Sequence, residues 1–357
     1  RLVLVTGPSG VGKTALVEEA LGRARDADTI SWRGRCHERE RVPYRAFDFI
    51  IDDLATELAG NAPLVAQLEH AGALARVFPT LGAVIEAMIG EVPPAAEDLR
   101  VERERALIAM CAVFRHALEA AARGLVLIDD LQWADEDSRE LLALLVERVG
   151  RPLTIIATWT GDLDRMRGVL ERLGTAAEVV EVAPMQAHEL VEVLADVAPQ
   201  ASTERLLAAA RLAAGSPYLA ELIGRELADT DIADPHDAET RRLDRLDDRE
   251  RKVAEIAALS GGSATFEQLR ALAELPSAQL QSVLRSLEDG RIVRITPSAS
   301  GDPVYVFYHQ RLRDAAQAAM TPAARERIHR TFATWLEREA STPDQLAYHW
   351  QHAGEPA

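Results

Sequence analysis

Residues 2–14 read LVLVTGPSGVGKT: four aliphatic residues, a glycine-rich turn, then Lys13-Thr14. Gly7-Pro8-Ser9-Gly10-Val11-Gly12-Lys13-Thr14 fits G-x-x-x-x-G-K-[ST] at every position. Leu2–Val5 predict a buried parallel strand before the turn. Leu16, Val17, Ala20 and Leu21 recur at helical spacing after it. Glycines let main-chain N–H groups close on an anion, and the helix N-terminus adds partial positive charge. Gly7, Ser9, Gly10, Val11, Gly12, Lys13 and Thr14 are therefore the expected phosphate cradle. Lys13 would reach the β- and γ-phosphates and the Thr14 hydroxyl would ligate Mg²⁺. Lys13 and Lys252 are the only lysines among the 40 basic residues. A point-like ammonium fits between phosphates where a planar guanidinium does not.

A phosphate-binding loop needs a carboxylate for the metal's water shell, and GLVLIDDLQWAD (124–135) offers one. Leu125–Ile128 predict a buried strand with Asp129-Asp130 at its C-terminal edge, where open parallel sheets bind ligands. Asp129 would hold Mg²⁺ through water, and Asp130 would act as general base on the attacking water. Lys13, Asp129 and Asp130 are thus the candidate catalytic residues, Thr14 and Asp129 the metal pair. Trp133 reads as packing, and Asp135 as either a helix N-cap or a site residue. Strands at 29–32, 152–159 and 177–182 bring the total to five. Helices between them predict a doubly wound α/β nucleotide-binding domain with a five-stranded parallel sheet. Asn61 is the only asparagine and Ala62 follows it, so the Asn-Lys-x-Asp guanine signature is absent. ATP is the expected nucleotide.

The 357 residues suffice for two or three domains. A net charge of −17 repels phosphate backbones, which argues against direct DNA binding by this segment. Cys36 and Cys111 lack C-x-x-C spacing and read as buried thiols in a reduced, cytoplasmic setting. No apolar run reaches the ~20 residues that span a bilayer. The chain starts inside a strand and stops as a helical unit opens, as the middle of a longer polypeptide would. Expected domains are the nucleotide-binding domain at 1–184 and a helical lid at 185–228. A polar linker at 229–242 follows, then a winged helix at 243–321 and C-terminal helices at 322–357 resembling the start of tetratricopeptide-like repeats. The third winged-helix helix carries Arg285 but also Glu288 and Asp289, poor charge for a DNA groove.

This order of loop, acidic strand, lid with Gly215-Ser216-Pro217, winged helix and trailing helices resembles the signal-transduction ATPases with numerous domains (STAND). The stretches WRGRCHERERVPYRAFDFIIDDLA (32–55), LVLIDDLQWADEDS (125–138) and YVFYHQRLRDAA (305–316) resemble the AAA-type ATPase segment of large bacterial regulators. Such segments lie behind serine/threonine kinase domains or in LuxR-type transcription activators. The resemblance implies an ATP/ADP switch regulating a fused or associated output domain, with self-oligomerisation. It implies Gly215 and Pro217 against the adenine and His309 on the β-phosphate, although a lone histidine at a strand end is usually structural. Thr160 stands where the family carries an arginine, which implies slow hydrolysis or an arginine from a partner. The competing expectations are a nucleotide-locked scaffold without turnover and a DNA-binding regulator acting through the winged helix.

Overall fold

The computed structural model describes residues 1–24, 28–36, 43–90, 98–119, 121–173, 177–227, 235–297, 303–338 and 343–354. They form two compact units. The first holds residues 1–8, 13–36 and 43–182; the second holds Ser9–Gly12 and the chain from Ala183 onward.

In the first unit, β1 (Leu2–Thr6) leads into α1 (Lys13–Ala24) and β2 (Thr29–Arg35). Between β2 and β3 run α2 (Asp48–Ala59), α3 (Ala62–Gln67), α4 (Ala71–Val77), α5 (Pro79–Ile89) and α6 (Leu99–Ala117). Then come β3 (Arg123–Asp129), α7 (Glu136–Leu144), β4 (Leu153–Trp159), α8 (Leu163–Leu173) and β5 (Ala177–Glu181). The five strands pair in parallel in the order β2-β3-β4-β1-β5. This is the sheet expected from the sequence. β2 runs three residues further than predicted because Arg33, Gly34 and Arg35 pair with Leu127, Ile128 and Asp129.

Aliphatic side chains of β1, β3 and β4 fill the sheet core, joined by Trp32, Phe47, Phe114 and Trp159. Trp32 meets Phe114 edge to face at 5.4 Å. Each such buried side chain stabilises the fold by about 1.5–3 kcal/mol. Gly34 is required by a close approach: a Cβ there would lie 1.9 Å from the Ala46 carbonyl oxygen. Asp135 caps α7, its Oδ1 accepting from Ser138 N at 2.7 Å.

In the second unit, α9 (Ala187–Val197), α10 (Thr203–Leu212) and α11 (Pro217–Glu226) bury one small core around Leu190, Leu194 and Ile223. Ser216 caps α11, and Pro217 occupies its first turn, where a missing N–H costs nothing. Of the expected linker, residues 229–234 lie outside the described residues. Residues 235–242 are helical and belong to α12 (Pro235–Asp244), which buries Leu243 and Glu239. Next come α13 (Asp248–Leu259), β6 (Ala264–Thr265), α14 (Phe266–Ala273) and α15 (Ser277–Asp289). Strands β7 (Val293–Pro297) and β8 (Pro303–Phe307) complete an antiparallel sheet ordered β6-β8-β7. The third strand, β6, adds to the two strands that the sequence predicts here. α16 (Gln310–Ala319), α17 (Pro322–Arg338) and α18 (Pro343–His352) follow. Phe332 of α17 lies in the same core as α13–α16, across the boundary expected at residue 322.

Candidate nucleotide site

β1 ends at Thr6, and the chain turns through Gly7, Gly10 and Gly12 to start α1 at Lys13. Gly10 and Gly12 have φ of +78° and +100°, a region L-residues rarely enter. This conformation is why the turn needs glycine at those two positions. Lys13 is buried, and its Nζ donates to Gly7 O at 3.0 Å and Pro8 O at 2.9 Å. The ammonium is thereby held over the loop rather than extended into solvent. Burial lowers its pKa, while Asp130 and Asp129 pull the other way.

The sheet brings the distant acidic pair to the same edge. Thr14 Oγ1 donates to Asp129 Oδ1 at 2.8 Å, and Thr158 Oγ1 donates to the same oxygen at 2.6 Å. The predicted metal pair, Thr14 and Asp129, is therefore in contact although 115 residues apart. A hydroxyl beside a carboxylate is a hard-oxygen donor set that suits Mg²⁺. Among the described residues, no group of three or more His, Cys, Asp or Glu could hold a metal ion. Magnesium in phosphate-binding loops does not need one, because substrate phosphates and water supply the remaining ligands.

Asp130 follows in the left-handed region, φ +60°, which Asp tolerates better than most residues. Its N–H donates to Thr158 Oγ1 at 2.8 Å, and its Oδ1 accepts from Gln132 Nε2 at 2.9 Å. Gln132 Oε1 in turn accepts from Thr160 N at 3.0 Å. Arg35 Nη2 lies 3.4 Å from Asp130 Oδ2, and Arg35 Nε lies 3.8 Å from Asp129 Oδ2. Burial, then the neighbouring Asp129, raises the Asp130 pKa, while Arg35, Gln132 and Lys13 oppose the rise. The arrangement presents a basic, oriented carboxylate next to a charged loop.

Arg35, Gln132 and Thr158 are site residues that sequence reasoning missed. Gln132 sits inside the quoted acidic stretch, but nothing in its spacing marks it. The signal that could have found Arg35 and Thr158 is their position at the C-terminal ends of β2 and β4, flanking the acidic strand.

Within the second unit, the remaining predicted residues gather around the loop apex. Ser216 Oγ donates to Gly10 O at 3.0 Å, and Met185 N donates to Gly215 O at 3.0 Å. A Cβ on Gly10 would meet Ser216 Oγ at 2.7 Å and His309 Nε2 at 3.6 Å. The His309 ring stacks on Tyr218 with centroids 3.7 Å apart, and its Nδ1 accepts from Arg311 N at 3.2 Å to cap α16. Trp133 packs against the sheet core, as expected.

The AAA ATPase domain family matches residues 1–156. No curated protein matches the chain. Among solved structures, a STAND protein with a tetratricopeptide-repeat sensor from Pyrococcus horikoshii is similar at a TM-score of 0.59 and 15% identity. That match covers 99% of this chain and 45% of the archaeal one, so the chain spans less than half that protein's length. The Thermotoga maritima RuvB Holliday junction branch migration motor follows at TM-score 0.33 and 15% identity, covering 85% of this chain and 83% of its own. A Drosophila ORC structure bound to DNA stands at 0.33 and 12%, covering 86% of each chain. Likenesses that low carry no argument. The first 156 residues thus match the AAA ATPase domain family, and the chain is similar in fold to the archaeal structure.

Proposed function

We propose that this chain is an ATP-binding, slowly hydrolysing switch, the ATPase module of a larger signalling regulator. The observation that carries the reading is the contact of Thr14 with Asp129 beside a loop-bound Lys13. In this reading Gly7, Ser9, Gly10, Val11 and Gly12 hold the phosphates through main-chain N–H groups. Lys13 neutralises the β- and γ-phosphates. Thr14 and Asp129 would hold Mg²⁺, which supplies Lewis-acid polarisation of the phosphates when bound. Asp130, held by Gln132 and Arg35, takes a proton from the attacking water. Gly215 and Pro217 border the adenine and His309 meets the β-phosphate; the grouping of Ser216, Tyr218 and His309 around Gly10 supports both.

Thr160 supplies no charge where the resemblance expects an arginine, and this supports slow turnover. The three helices and antiparallel ribbon of 248–307 support a winged-helix reading with a structural role. The output is a fused or associated kinase, with a LuxR-type transcription activator as the alternative, and the module self-associates. Two buried free thiols, Cys36 and Cys111, and the lack among the described residues of any helix long and apolar enough to cross a membrane support a cytoplasmic setting.

Single-turnover hydrolysis tests the reading. The native chain should release phosphate slowly, and Asp130→Asn should lower that rate about 10²–10⁴-fold while still binding ATP. Equal rates in the two proteins would instead make the nucleotide a structural lock.

A further inference from the structure

The second unit contains a shallow, solvent-open cleft lined by Tyr218, Leu222, Arg225, Arg242, Arg291 and Tyr308, with Glu221 and Leu312 at its wall. Its charges do not balance. Glu221 is bonded by both Arg225 (3.0 Å) and Arg291. Arg291 also donates to the Tyr308 hydroxyl at 3.2 Å and lies 5.4 Å from that ring's centre. Arg242, half-buried on α12, makes no hydrogen bond or ion pair among the described residues. The nearby carboxylates are engaged elsewhere: Glu226 pairs with Arg245 at 2.8 Å and Glu239 with Arg311 at 3.1 Å. Two positive charges are thus left over in a chain whose net charge is −17. The Tyr218 hydroxyl is buried and has no hydrogen-bond partner. Burial and the adjacent Arg225 both hold the Arg242 pKa below the ordinary arginine value.

An unpaired guanidinium and an orphan buried hydroxyl are costly to keep unless something satisfies them. We infer that this cleft is an anion site for a phosphate-sized dianion, bound by Arg242, Arg225, Arg291 and the Tyr218 hydroxyl. The enclosed space, about 10 Å³, lies far below the roughly 300–1,000 Å³ of clefts that enclose drug-sized ligands, so only a small anion seated at the cleft's open mouth is compatible with it. Guanidinium forks and a phenol O–H match the oxygens of a tetrahedral anion. Tyr218 and Arg225 lie on α11, Arg242 on α12, and Arg291 and Tyr308 flank β7 and β8. A bound dianion therefore ties the three-helix lid to the module that follows it. Tyr218 also borders the loop at Gly10, so the site adjoins the phosphate-binding loop, but its arginines are not part of that loop and the inference stands without the ATPase reading.

The probe is inorganic phosphate, titrated calorimetrically into the chain carrying Lys13→Ala, which silences the loop. One phosphate should bind. Arg242→Ala added to that background should weaken it about tenfold or more, and Tyr218→Phe should weaken it by a smaller factor. Arg242→Lys should recover part of the loss. Should Lys13→Ala not fold, the native chain saturated with a non-hydrolysable ATP analogue gives the same comparison. Absence of phosphate uptake, or equal uptake by the Arg242→Ala protein with an unchanged circular dichroism spectrum, overturns the assignment. Loss of ATP binding with phosphate binding intact would refute the proposed function and leave this site standing.

Discussion

At the scale of single residues, the candidate site is a chain of hydrogen bonds around one buried hydroxyl. Thr158 is fully buried, donates to Asp129 and accepts from the Asp130 N–H. Thr158→Ala would leave the Asp130 N–H without its acceptor and should cost about 1–3 kcal/mol in urea unfolding. Unchanged stability would mean that the bonds are replaced by water. Arg35 works on the same carboxylates through charge. It opposes the rise in the Asp130 pKa, so Arg35→Ala should raise that pKa further. A general base must be deprotonated, so the acid limb of the hydrolysis–pH profile should move to higher pH in the variant. A limb that stays in place would show that Arg35 does not act through Asp130. Lys13, Thr14, Asp129 and Asp130 were legible because each sits in a local motif. Arg35 and Thr158 were not, because only sheet register brings them beside Asp129.

Elements were legible where apolar periodicity was strong and hidden where it was weak. All five parallel strands are short aliphatic runs, and each lies within a few residues of its expected place. α12 lies where the sequence predicts a linker, because PHDAETRRLD holds two aliphatic residues, Ala238 and Leu243, too few for a stripe. The sequence predicts a shorter β2 because Arg33-Gly34-Arg35 does not look like a strand. Gly34 explains itself only in three dimensions. Gly34→Ala forces its Cβ onto the Ala46 carbonyl, so the variant should lose several kcal/mol or fail to accumulate as folded protein. A stable, native-like Gly34→Ala chain would contradict the described packing of β2 against residues 45–47. At the other end, α17 and α18 meet through His329 and His349, whose Nδ1 atoms lie 3.0 Å apart. Burial, then His329 and His352, pushes the His349 pKa down from 6.5 to about 3. The folded pKa is below the unfolded one, so the unfolded chain binds the extra proton between those values. Stability should therefore fall as pH drops from about 6.5 toward 3, by a few kcal/mol at most. Thermal melts at pH 7 and pH 5 should show a larger loss for the native chain than for His349→Phe; equal losses would contradict the assignment.

On the scale of the whole molecule, the fold class was readable from the first fourteen residues and the acidic strand, since together they demand a parallel sheet with both motifs at one edge. The arginine cleft was invisible, because its residues come from α11, α12 and two strand ends whose individual patterns look like ordinary polar surface. A ligand that binds only the native chain stabilises it by mass action, about 2.7 kcal/mol at a hundred times its dissociation constant. Saturating Mg-ADP should accordingly raise the melting temperature, and Lys13→Ala should abolish the rise; a shift that survives the substitution would place the nucleotide elsewhere. The most direct test of the central claim is calorimetric titration of Mg-ATP into the folded chain. The account predicts binding of one nucleotide per chain, lost in Lys13→Ala. No heat of binding from well-folded native protein, or equal affinity in the variant, would contradict it.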